Sequence, residues 1–233
     1  MFPLTHKISL FDGKLAVTAE DVLTHVFPLL TEERQRKIIN VVKERCFDIS
    51  VVLESIYDRG NTSAVMRTAE GLGFANFHII ETFEKFKEAN RVTQGADKWV
   101  EAKKWKSTKE AIEHFKKNKI RICVTSLEAS KPLHEIDFST PLALVLGNEK
   151  DGVSKEMLEA ADERVIIPMP GFVQSFNISI AGALCLYHIA SDRRQKQGSN
   201  ADVTEEQQSI LKATYAMRTM DSAESILKNK LGL

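Results

Sequence analysis

Five short apolar runs, at residues 49–53, 77–80, 121–125, 142–146 and 165–167, recur along this chain with helix-length segments between most of them. The first two, with a helix expected between them over 61–72, read as a βαβ opening, in which parallel strands are joined by helical crossovers. The expected fold class is therefore α/β with a parallel sheet. Such sheets place ligands outside the carboxyl ends of their strands, so the loops after the runs are where chemistry is sought.

Cap residues punctuate the intervening segments. Thr18, Thr31, Ser107, Ser154 and Thr204 each precede a helical pattern, with Glu110 and Gln207 placed to complete capping boxes, and Gly73 suits the C′ position of the helix expected over 61–72. Residues 1–17 show no clean period and are left irregular. Gly198, Ser199 and Asn200 read as a linker before two further helices. The chain is thus divided into an N-terminal extension and basic helix (1–47), a central domain (48–197) and a C-terminal helical appendage (198–233).

A chain of 233 residues that is 43% hydrophobic can bury one such domain with additions at its ends. Its formal net charge is zero, yet residues 81–119 carry eleven Lys/Arg against seven Asp/Glu, while 128–163 carry three against nine. A basic face beside an acidic one follows, or simply two solvated surfaces. Cys46, Cys123 and Cys185 are odd in number and widely spaced, as free thiols in a reducing compartment would be. No His/Cys cluster has metal-ligand spacing, no run is long enough to span a bilayer, and charges interrupt the first thirty residues. The expectation is a cytoplasmic protein without membrane or metal.

Residues 166–189 combine a strand end, a turn with Pro168, Pro170 and Gly171, the polar side chains Gln174, Ser175 and Asn177, and the start of a helix at about Ser179. Unpaired N–H groups at a helix start attract an anion or carboxylate, although Asn177 or Ser179 also serves as an ordinary N-cap. Earlier, Asn61 and Arg67 follow the first buried run; Asn61 reads as an N-cap or a site residue, Arg67 as a surface ion pair or a site residue. Lys85, Lys87, Arg91, Lys98, Trp99, Lys103, Lys104 and Trp105 interleave cations with aromatics, which suits RNA bases and phosphates as well as it suits a core Trp. No glycine-rich turn follows the first strand, which argues against a dinucleotide-dependent oxidoreductase.

Three segments line up as a set: NTSAVMRTAEGLG from Asn61 to Gly73, LVLGNEKDGVS from Leu144 to Ser154, and IPMPGFVQSFNIS from Ile167 to Ser179. In this order and spacing they resemble the three motifs of the SPOUT RNA ribose methyltransferases. The basic helix before the first strand and Gly95–Val100 extend the likeness to the TrmH family, the tRNA guanosine-2′-O-methyltransferases of the D-loop, over about residues 31–196.

The resemblance implies a C-terminal deep trefoil knot with flanking helices, a homodimer, and S-adenosyl-L-methionine bound by Thr125, Leu127, Gly147, Asn148, Glu149, Ile167, Met169, Phe176 and Asn177. It implies a catalytic set of Arg67, Asn61, Ser175, Asn177 and Glu149. Glu149 suits cofactor contact or a helix N-terminus equally. The implied RNA contacts are Arg34, Lys37, Arg59, Arg91, Lys98 and Trp99. The implied activity is ribose 2′-O-methylation of guanosine 18 in tRNA, with ribosomal RNA as the alternative substrate and a non-catalytic knotted RNA-binding protein as the alternative of another class.

Overall fold

The computed structural model of the protein describes residues 1–81, 95–128 and 130–233. In chain order the strands and first helices are β1 (Lys7–Leu10), β2 (Leu15–Thr18), α1 (Ala19–His25), α2 (Glu32–Lys43), β3 (Cys46–Glu54), α3 (Arg59–Gly71), β4 (Phe74–Ile80) and β5 (Glu101–Trp105). There follow α4 (Thr108–Lys117), β6 (Arg121–Thr125), β7 (Lys131–Pro132), β8 (Leu142–Leu146), α5 (Lys155–Ala160), β9 (Glu163–Ile166), α6 (Ile178–Gln197), α7 (Glu205–Thr219) and α8 (Ala223–Leu231). They form two compact units, one of Cys46–Asn200 together with Met1, the other of Phe2–Arg45 and Ala201–Leu233.

The larger unit is built on a seven-stranded sheet in the order β5-β4-β3-β8-β6-β9-β7, and every pairing in it is parallel. Side-chain alternation divides its core. Ile49, Val51 and Leu53 of β3 and Leu142, Leu144 and Leu146 of β8 point to the face that also buries Val65, Met66, Cys185, Leu186 and Ile189 of α3 and α6. Val52, Ala143 and Val145 point to the other face, with Ala111, Phe115 and Met157 of α4 and α5. Both faces are thus covered, which is why β8 is apolar throughout and β3 is apolar from Val51 to Leu53. Each large apolar side chain buried this way contributes about 1.5–3 kcal/mol. Gly182 lets α6 approach closely: a Cβ there would lie 3.1 Å from Leu146 Cδ1 and 3.2 Å from a Val65 methyl.

The smaller unit joins the two ends of the chain, with α1 and α2 packed on α7 and α1 on α8. Thr18 and Thr204 cap their helices with full capping boxes. Residues 7–18, expected to be irregular, form an antiparallel hairpin instead. Its turn holds Phe11, Asp12 and Gly13 at φ of 49°, 56° and 88°; Gly13 alone was a signal in the sequence, while Phe11 and Asp12 take left-handed backbone without being glycine.

Strand limits differ modestly from expectation: β3 starts at Cys46 and extends to Glu54, and β9 spans Glu163–Ile166. Ser107 caps α4, but Glu110 reaches back to the Lys106 N–H rather than to Ser107, so that box is only half formed.

Candidate functional site

The loops that follow β6, β8 and β9 meet around a cavity of about 650 Å³ at the carboxyl ends of the strands. Thr125, Leu127, Gly147, Asn148, Glu149, Ile167, Met169, Ser175, Phe176 and Asn177 all line it, so the structure brings these sequence-predicted residues together. The volume falls in the usual range for small-molecule sites. Glu128 and Asp151 line it as well and were not singled out from the sequence. The acidic run over 128–163 did not single them out, because of its nine carboxylates only Glu128, Glu149 and Asp151 line the cavity.

The loop after β8 is a tight turn. Asn148 and Gly152 exchange backbone hydrogen bonds at 2.9 Å in each direction, and Asn148 Oδ1 accepts from the Lys150 and Asp151 N–H groups. A Cβ on Gly147 would lie 2.3 Å from the backbone of Gly152 and Val153, so no other residue fits that position. Asn148 Nδ2 donates to the Ser55 carbonyl at 2.6 Å, which ties the turn to the end of β3.

At the rim, three side chains far apart in sequence form one chain of hydrogen bonds. Asn61 Nδ2 donates to Glu149 Oε1 at 2.9 Å, and Asn177 Nδ2 donates to Asn61 Oδ1 at 3.3 Å. Glu149 Oε2 also accepts from the Tyr57 N–H at 3.4 Å. Asn177 Oδ1 meanwhile accepts from Ser179 N–H and Oγ, capping α6. Asn177 therefore caps α6 with its Oδ1 and reaches Asn61 with its Nδ2. Asn61 does not cap its helix: α3 begins earlier, at Arg59, with Asp58 as the cap, which frees the Asn61 amide for Glu149.

Arg67 lies six residues further along α3, exposed and outside the cavity lining, with no hydrogen-bond or ion-pair partner among the described residues. Lys98 is exposed and Trp99 half-buried at a 3-10 turn, Ala96–Lys98, that packs on α3. Arg59 is exposed at the start of α3. Arg34 and Lys37 are exposed on α2 in the other unit, and Arg91 falls outside the described residues.

All three cysteines are buried, and none of them forms a disulfide. Burial pushes the Cys185 thiol, at the back of the cavity, up to about 12, and Cys123 likewise, so neither supplies a nucleophile near neutral pH. Among the described residues no helix is long and apolar enough to cross a membrane.

Residues 48–187 match the SpoU rRNA Methylase family. The chain belongs to this family. It is 34% identical over 211 residues, 89% of its own length and 96% of the relative's, to a protein named tRNA (guanosine(18)-2′-O)-methyltransferase from Borreliella burgdorferi. Among solved structures it resembles a TrmH/SpoU tRNA modifying enzyme of A. aeolicus, with a TM-score of 0.71 and 33% identity, over 79% of this chain and 96% of that one. It also resembles an AdoMet-bound rRNA methyltransferase from Sinorhizobium meliloti, with a TM-score of 0.57 and 25% identity, over 68% of this chain and 60% of that one. The SpoU match spans all three loops that build the cavity, from β3 to the middle of α6. The SpoU match lies wholly within the larger unit, which holds Cys46–Asn200.

Proposed function

We propose that this protein is an S-adenosyl-L-methionine-dependent tRNA ribose 2′-O-methyltransferase acting on guanosine 18 of the D-loop. The observation that carries the reading is the hydrogen-bonded set Asn61–Glu149–Asn177 at the rim of a cavity built from the loops after β6, β8 and β9. The likeness to tRNA enzymes over 96% of their length, against 60% for the ribosomal one, favours tRNA as substrate.

The cavity's residues fit S-adenosylmethionine. Leu127, Met169 and Phe176 offer apolar surface for the two faces of an adenine ring, loop backbone at Gly147 and Ile167 offers hydrogen-bonding edges, and Glu128, Glu149 and Asp151 offer negative charge to a sulfonium and an ammonium group. When bound, that cofactor supplies an electrophilic methyl group. The chain's own residues must hold the ribose 2′-hydroxyl in line and help its proton leave, because a hydroxyl is a poor nucleophile near neutral pH.

Arg67 is exposed and unengaged, so its guanidinium is available to a phosphate next to the target ribose; an arginine gives up a proton too reluctantly to be a convincing base. In this reading Arg67 orients the acceptor nucleotide, Asn61, held by Glu149 and Asn177, orients the ribose, and Ser175 completes the pocket for the base. Lys98, Trp99, Arg59, Arg34, Lys37 and Arg91 extend the contact to the RNA, which compensates for a chain of zero net charge.

A homodimer completes the proposal. Ile180, Leu184 and Tyr187 recur at i, i+4 and i+7 on α6 and are 50%, 42% and 66% exposed, beside Phe172 and Val173, which are also exposed. A second copy covering this stripe accounts for it. The sheet order β8-β6-β9-β7 and the meeting of three loops at one cavity support a trefoil knot in this half of the unit, an exception to the usual unknotted chain. The reaction belongs to the cytoplasm, where the tRNA is.

The test is transfer of labelled methyl groups from S-adenosylmethionine to unmodified tRNA and ribosomal RNA transcripts, followed by mapping of the product. Label in 2′-O-methylguanosine of the D-loop is expected. Label in ribosomal RNA alone would keep the chemistry and overturn the substrate, and cofactor binding without transfer to either would point to a different RNA or to a binding-only role.

A further inference from the structure

Glu54, the last residue of β3, is 2% exposed, and no Lys or Arg pairs with it among the described residues. A buried carboxylate without a cation is costly unless its oxygens are satisfied by hydrogen bonds. Three donors meet it here. The hydroxyls of Thr108 and Ser154 both donate to Oε1 at 2.7 Å, and the Ser154 N–H donates to Oε2 at 2.9 Å.

The position of these partners gives the arrangement its meaning. Ser154 stands at the exit of the tight turn after β8, the turn whose residues Gly147–Val153 wall the cavity. Ser55, the next residue after Glu54, adopts φ of 54° and accepts from Asn148 Nδ2 at the entry of the same turn. Two consecutive residues at the end of β3 therefore grip both ends of a turn from β8, across about 100 residues of sequence. Thr108, by contrast, belongs to α4 and has no part in the cavity.

We propose that Glu54 is a positioning residue: through Ser154 it fixes the turn that receives the methyl donor, so that the cavity is formed before binding and little ordering cost falls on the ligand. The inference rests on the reading of the cavity as the S-adenosylmethionine site. A purely structural Glu54 would affect melting alone; a positioning Glu54 governs cofactor affinity and turn rigidity in protein that is still folded.

Two near-isosteric variants separate these. Glu54→Gln keeps the shape, but an amide offers one acceptor where the carboxylate offers two. Thr108→Val removes only the α4 arm and leaves both bonds to Ser154. Calorimetric titration with S-adenosylmethionine, hydrogen exchange of the 148–154 amides and thermal melting are measured on both. In Glu54→Gln the dissociation constant and the KM for the cofactor are expected to rise about tenfold, with kcat at saturating cofactor within about twofold of wild type and faster exchange over the turn. In Thr108→Val affinity and exchange are expected to stay at wild-type values even where melting falls. Wild-type affinity and protection in Glu54→Gln, or equal losses in the two variants, would overturn the proposal. Failure of the wild-type protein to bind S-adenosylmethionine would refute the reading of the cavity instead, and the exchange comparison would then decide the role of Glu54 without it.

Discussion

At the scale of single residues, availability separates Arg67 from the rest of the site. Asn61, Glu149 and Asn177 are committed to one another, whereas Arg67 has no partner among the described residues and does not line the cavity. Replacing it with alanine is therefore expected to cut kcat/KM for tRNA about 100-fold or more, equal to about 2.7 kcal/mol of barrier, while cofactor affinity stays unchanged. Arg67→Lys, which keeps the charge and loses the planar fork, should fall between. Unaltered turnover in Arg67→Ala would remove Arg67 from the mechanism.

A second residue-scale consequence concerns pH. His78 is buried under Trp105, whose Nε1–H donates to His78 Nδ1 at 3.0 Å; burial, with His114 and Lys103 nearby, lowers its pKa from 6.5 to about 3. Between those values the unfolded chain binds a proton that the folded chain refuses, so stability rises with pH across that window and falls on acidification, by up to roughly 1.4 kcal/mol per pH unit. His78→Phe should melt at a temperature less dependent on pH between about 4.5 and 6.5; a slope equal to that of wild type would refute the assignment.

Among the elements, α6 carries the clearest prediction. One face packs on α3 through Gly182 and the other presents Ile180, Leu184 and Tyr187 to solvent. The double variant Ile180→Asp/Tyr187→Asp changes only exposed positions, so under the proposed homodimer it is expected to stay folded, to sediment as a monomer and to lose most methyl transfer. A wild-type protein that sediments as a monomer would refute the proposed dimer, and a variant that still sediments as a dimer would refute this interface.

The same scale explains what could be read from the sequence. Buried strands such as β8 announce themselves because both faces are covered, and the caps at Thr18, Thr31, Ser154 and Thr204 are local chemistry. The β1–β2 hairpin was not legible, and β5 could be read only as loop or strand, since it is largely exposed along Glu101–Trp105 and lies at the sheet's edge, with nothing to force an apolar run. In the site, the loops were legible and their partnerships were not. Asn61 meets Glu149 across 88 residues and Asn177 across 116, and Glu54 read as a loop residue until the fold surrounded it with donors.

For the whole molecule, the two units divide the work that a zero-charge chain must do. The larger unit provides the cavity and its rim, and exposed cations occur on both, at Lys98 and Arg59 in one and at Arg34 and Lys37 in the other. Affinity for RNA then depends on local patches rather than on net charge, and it should weaken steeply with salt. The central claim is that one hydroxyl, the 2′-OH of guanosine 18, receives the methyl group. The most direct test compares labelled methyl transfer to a full-length tRNA transcript with transfer to the same tRNA carrying 2′-deoxyguanosine at position 18. Label in the first and none in the second is the expected result. Equal label in both would contradict the account, because the acceptor would then be another atom.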